Sequence, residues 1–189
     1  MKREFNIEAF RNLPVSLKKS DYVDFLLFIN YDKPCVRVGS NSKNVYDELN
    51  VWCQKYKYSF RLSKSGLVYI SRNRFLGILA QKADDSLFPH TIIFGLLLGY
   101  PLCCCRKIKA VGEKNIDEYE KNVMSEMEKY FVEPYDKIKP HHYIEGAAFI
   151  SHIPCGPQCK RSLKIANRSL CVIKKYEGET CMKGWKSVL

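Results

Sequence analysis

A chain of 189 residues with a net charge of +11, 46% hydrophobic and 13% aromatic, carries enough apolar material to bury a core, which excludes a disordered chain and fits one compact domain or a small unit joined to a larger one. Nine cysteines are too sparse for a disulfide-built scaffold and odd in number. MKREFNIEAF has no apolar leader segment, and the longest apolar run, Ile92 to Leu98, is too short to span a bilayer. A reducing, cytoplasmic setting without membrane contact follows as the expectation. There, clustered thiols are metal ligands or catalytic groups more often than disulfides.

In chain order, residues 22–29 (YVDFLLFI) and 35–38 (CVRV) are β-branched and aromatic and flank a turn-rich break, which predicts two strands of a hairpin. Ser42 is placed to cap a helix in which Val45, Leu49, Trp52 and Tyr56 recur at helical spacing. YSFRLS (58–63) and LVYIS (67–71) flank Lys64, Ser65 and Gly66 as a second hairpin. The order ββαββ makes a small α+β unit over 1–72.

From Asn73 the pattern turns helical, so that 73–189 reads as a mainly helical unit. Phe75, Leu76 and Leu79 start a helix that stops near Asp84 and Asp85. A nearly all-apolar one, expected to be buried, runs from Pro89 to Leu98, and His90 at its start reads as a capping or core histidine. Gly99 ends it and Pro101 suits the first turn of the next. Asn115 and Glu118 resemble a capping box above a stripe of Ile116, Tyr119, Val123, Met127, Tyr130 and Phe131. The segment from Glu133 to Pro140 breaks that helix, and 141–154 fits either a strand or an irregular crossing. Cys159, Leu163, Ala166, Leu170 and Ile173 then form the inward face of a last helix. The fold class is therefore α+β: a small N-terminal antiparallel sheet with one helix, then a mainly helical part.

The thiols carry the chemistry. Pro101 and Pro157 each open a helix, which puts Cys103 and Cys104 in one first turn, Cys159 inside another and Cys155 just before it. Unpaired amides and the helix dipole favour thiolate there, the form that binds metal and attacks electrophiles. Cys103, Cys104 and Cys105 are successively about 100° apart, so at most two face one centre. A four-sulfur site of Cys103, Cys104, Cys155 and Cys159 is feasible, with His152 as a substitute ligand. It suits an iron–sulfur cluster (4Fe-4S), favoured here, or zinc. A metal-free alternative pairs Cys103 as nucleophile with His152 as base for acyl transfer. An inert packed cluster is the third alternative. Cys35 and Cys53, among apolar neighbours, read as core; Cys171 points away from the inward face, and Cys181 lies in a polar tail.

Gly99, Tyr100, Pro101, Cys103 and Cys104, joined to His152, Pro154, Cys155, Cys159 and Ser162, resemble the G-Y-P-x-C-C … H-x-P-C-x3-C-x2-S pattern of a prokaryotic family of unknown function over roughly residues 95–165. The resemblance implies that Cys103, Cys104, His152, Cys155 and Cys159 form one site, with Cys105 extra to the pattern; it implies no activity.

From Pro157 onward, eight basic residues face only Glu177 and Glu179. Lys160, Lys164, Arg168 and Lys175 line the face of the last helix opposite its apolar stripe, as a groove for RNA, DNA or a nucleotide requires, unless they form an ordinary solvated face. Tyr176 and Trp185 could stack bases, and Arg72 and Arg74 could add phosphate contacts. Of His141 and His142, adjacent in a strand, one could reach the thiols. No phosphate-binding glycine loop, H-E-x-x-H or G-x-S-x-G occurs, which leaves dinucleotide and serine-hydrolase chemistry unsupported. The reading is a cysteine-ligated metalloprotein acting on or binding nucleic acid, with sulfur-transfer or redox work at the cluster; a basic interaction module with a structural metal is the non-enzymatic alternative.

Overall fold

The computed structural model describes residues 5–14, 17, 19–39, 43–85, 87–129, 135–138 and 149–176. Ser42, Tyr130, Phe131, Glu133, His141, His142, Cys181 and Trp185, singled out above, lie outside the described residues.

The first departure from expectation is at YVDFLLFI. These residues belong to a helix, α2 (Lys19–Ile29), which follows a short α1 (Ile7–Arg11). A helix apolar all round and a buried strand look alike over eight positions, and only length separates them. Every residue from Tyr22 to Ile29 is buried, so no polar face remained to reveal the helical period. Tyr31 adopts a left-handed φ of 66° just past the helix end. The amides of Tyr31 and Asp32 turn back to the carbonyls of Phe28 and Leu27, a closure usually given to glycine.

The sheet is three-stranded and antiparallel, in the order β1 (Cys35–Gly39), β3 (Leu67–Ser71), β2 (Ser59–Leu62). The expected second hairpin forms as β2–β3, whereas β1 pairs with β3 rather than with residues 22–29. Register sets the two faces. Val36, Val38, Val68, Ile70 and Phe60 turn into a core built with α1, α2, α3 (Lys43–Tyr56) and the last helix. Cys35 and Tyr69 turn the other way, against Ala80, Leu97 and Leu98 of α4 (Arg74–Asp85) and the α5 end (Leu87–Leu97). A central sheet with helices on both faces follows directly from that alternation. Cys53 lies in the first core and Cys35 in the second. Trp52 anchors α3 by donating its indole N–H to the carbonyl of Ala9 at 2.8 Å.

The helical remainder agrees with the periodicity, with local differences. α5 is half-exposed rather than enclosed: Ile93 and Leu96 are exposed, and so is His90. Gly99, at φ 76°, closes α5 as the amides of Gly99 and Tyr100 bond the carbonyls of Leu96 and Gly95. A Cβ there would also meet Lys33 Cγ at 2.9 Å, so glycine is required twice over. Pro101 then caps α6 (Leu102–Val111). Asn115, in a short 3-10 turn before α7 (Ile116–Lys129), donates its side-chain amide to the Val111 carbonyl at 3.0 Å. Val123 and Met127 of the α7 stripe reach the core. Phe149–Pro154 crosses as irregular chain to the last helix, α8 (Lys160–Tyr176). No helix among the described residues is long and apolar enough to cross a membrane.

Candidate metal centre

α6 and α8 meet the crossing segment with their amino ends. Pro101 leaves Leu102 as the first helical residue, so Cys103 and Cys104 occupy the first turn of α6 as the sequence implies. α8 starts later than Pro157 suggests. Pro157 and Gln158 form a turn that the amide of Cys159 closes onto the Gly156 carbonyl at 3.3 Å, and the helix begins at Lys160. Cys159 is thereby the residue before the first turn. Its sulfur accepts from the amide of Ser162 at 3.5 Å, the part an oxygen plays in an ordinary N-cap. Tyr119 of α7 donates its hydroxyl to the Pro154 carbonyl at 3.0 Å and so holds the turn that presents Cys155.

The four expected ligands converge: the sulfurs of Cys103, Cys104, Cys155 and Cys159 all lie within 4.8 Å of one another. The shorter edges are 3.8 Å for Cys103–Cys104, 3.9 Å for Cys103–Cys159, 3.7 Å for Cys104–Cys159 and 3.5 Å for Cys155–Cys159. Cys104 and Cys159 are buried and Cys103 and Cys155 half-buried, so one side of the cluster faces a route to solvent. Four close cysteines of this kind can hold a metal ion. Cys105 turns away, its sulfur 3.9 Å from the Tyr100 carbonyl, consistent with the helical phase, which lets at most two of the three face one centre.

The electrostatics favour one thiolate from the outset. Cys159 is pushed down to about 3, chiefly by the hydrogen bond from Cys104, with the hydroxyl and amide of Ser162 and the thiol of Cys155 adding to it against the cost of burial. Cys104 is pushed up by donating to Cys159 and by its own burial, and burial first raises Cys155 to about 12. A negative sulfur ringed by donors is what a cation would displace protons from.

His152 is not the fifth member of the sulfur set. Its Nε2 lies 2.9 Å from Ser162 Oγ, which in turn lies 3.4 Å from Cys104 Sγ, and its ring packs on Tyr100 with centroids 5.1 Å apart. Burial, with the charge of Lys33, lowers the imidazole to about 3 and keeps it neutral. Cys103, expected as its nucleophilic partner, has its sulfur against Cys104 and Cys159.

Of the expected polyanion contacts, Lys160, Lys164, Arg168 and Lys175 are all exposed. Arg168, however, is paired with Asp32 at 3.2 Å. Arg72 faces inward: it donates to the Lys33 carbonyl at 2.7 Å and lies over the rings of Phe28 and Tyr31. Tyr176 stacks on Phe5 at 4.2 Å rather than presenting a free ring.

Two polar pairs escaped the sequence reading. Lys33, buried, donates to Asp24 and, at 2.7 Å, to Ser151 Oγ, tying α2 to the crossing segment beside the cluster. Asp84 of α4 accepts from Tyr69 and from Arg37. A lone aspartate inside the apolar run YVDFLLFI was the available signal for the first pair, because an isolated buried carboxylate requires a cation.

The chain matches no family model, no curated protein and no solved structure.

Proposed function

We propose that the four thiolates hold a single zinc ion that fastens α6 to the start of α8. The supporting observation is the sulfur spacing. Around one zinc with bonds of about 2.3 Å, tetrahedral thiolates stand about 3.8 Å apart. Four of the six edges, at 3.5–3.9 Å, bracket that value, and all six lie within 4.8 Å. In a cubane cluster each thiolate binds its own iron, so the protein sulfurs are spread around a larger inorganic core, and this nest would have to open to admit one. Four cysteine ligands also leave no open position, which is the pattern of a structural site rather than a catalytic one. Zinc here supplies a cross-link between segments distant in sequence.

Metal analysis of protein purified without oxygen is the test. One equivalent of zinc, lost in Cys104→Ser and Cys159→Ser, is the expected result. Iron with inorganic sulfide and broad visible absorbance overturns the single-ion reading in favour of a cluster.

A second reading concerns α8. Its sequence KRSLKIANRSLCVIKKY contains six cations and no carboxylate, and Lys160, Arg161, Lys164, Lys174 and Lys175 are exposed. This supports α8 as a face for the phosphate backbone of RNA or DNA, with the zinc staple holding the helix in place. Charge reversal at Lys160 and Lys164 should weaken binding to a mixed-sequence RNA and flatten its salt dependence. Binding indifferent to salt removes this reading.

A further inference from the structure

Beside the thiol cluster, β1, α4, α5, α6, the start of α7 and the crossing segment line a half-open cavity of about 260 Å3. That is smaller than the pockets that take drug-sized molecules, so its occupant is compact. Arg37 reaches it from β1, and its side chain remains 39% exposed although the guanidinium is held between the Asp84 carboxylate and the ring of Phe94, 5.2 Å away. Asp84 engages only Nη1, at 3.3 and 3.4 Å, and shares its charge with the hydroxyl of Tyr69. The Nε and Nη2 donors of Arg37 have no protein partner among the described residues. They form one edge of the guanidinium fork, the geometry that binds a carboxylate through two parallel hydrogen bonds.

The rest of the wall selects the remainder of the ligand. Tyr100, Ile108 and Ile153 line the cavity and offer apolar surface. Asp84 already offsets part of the charge of Arg37, so a ligand with one negative charge matches what remains better than a dianion. We propose that this cavity binds a small organic carboxylate, with its charged end on Arg37 and its apolar body against Tyr100 and Ile108. Cys104 and His152 also line the cavity, but the proposed carboxylate contact is on Arg37, whose hydrogen bonds go to Asp84 and not to a sulfur of the cluster.

Calorimetry on the full chain, with benzoate, phenylacetate and hexanoate set against benzamide, hexanamide and inorganic phosphate, tests the assignment. At least one carboxylate should bind with a Kd below about 1 mM, and its amide at least about tenfold more weakly. Arg37→Met should weaken that carboxylate by about tenfold or more, and Ile108→Trp, which fills the cavity and leaves Arg37 in place, should abolish binding. The assignment is overturned if no carboxylate binds below about 10 mM, if amide and acid bind equally, if phosphate binds tighter than every carboxylate, or if binding survives Ile108→Trp. Should Arg37→Met fail to fold, the amide comparison and Ile108→Trp decide by themselves.

Discussion

Ser162 does more for the cluster than its size suggests. It is fully buried, its amide donates to Cys159, and its hydroxyl bridges Cys104 and the neutral imidazole of His152. Partners that orient a metal ligand are commonly worth about 10–100-fold in affinity. Ser162→Ala keeps the amide and loses the bridge, so zinc affinity, measured by competition with a chromophoric chelator, should fall within that range while stoichiometry stays at one. Unchanged affinity would make the serine mere packing. The buried pair of Lys33 and Asp24 is a separate matter. Removing one partner strands a charge, and for a pair this enclosed the loss is about 3–5 kcal/mol. Asp24→Asn should show it as a lower urea midpoint with unchanged slope. Asp24→Leu combined with Lys33→Met, which removes both charges, should restore much of the loss.

At the scale of elements, α5 and α6 approach so closely that Gly95 is a packing requirement. A Cβ there would meet Cys105 Sγ at 2.5 Å and Tyr100 Cδ2 at 3.4 Å. Gly95→Ala should cost about 1–3 kcal/mol by forcing the helices apart, and Cys105→Ala in the same chain, by deleting the sulfur, should recover most of it; denaturation of the two variants checks both. This contact also shows what sequence could and could not reveal. α3, α4, α6 and α8 were legible because each keeps a polar face, and Gly99 and Pro101 mark the turn between α5 and α6. The sulfurs at 103, 104, 155 and 159 were legible as a set because helix starts favour thiolate and helical phase admits at most two of Cys103, Cys104 and Cys105, while the family resemblance implied that Cys105 is the extra one. α2 was not, since burial on all sides erases the period. The cavity at Arg37 was invisible for another reason. Arg37, Asp84 and Tyr69 come from β1, α4 and β3, and only the strand register that places Arg37 opposite Tyr69 together with the packing of α4 on the sheet brings them together.

Across the whole molecule, one core runs from Ala9 and Phe10 through the sheet to Cys104, Cys159 and Ile173. Across the boundary expected near residue 72, Arg168 of α8 pairs with Asp32 and Lys33 donates to Ser151. A metal ion held at the four sulfurs, as proposed, would therefore act on a continuous structure, and its removal should be felt by both halves together. An ion held a thousandfold above its Kd stabilises the folded chain by about 4 kcal/mol. At about 2–4 °C per kcal/mol for a chain of this length, stripping it should lower Tm by about 10 °C. Differential scanning calorimetry with and without a strong chelator measures the shift, and tryptophan fluorescence of a Trp185→Phe variant, which leaves Trp52 in α3 as the sole tryptophan, should move with far-UV dichroism in a single transition. If the dichroism of the helical part falls first and Trp52 keeps its original midpoint, the ion holds only the neighbourhood of α6 and α8, and the core does not couple the two halves.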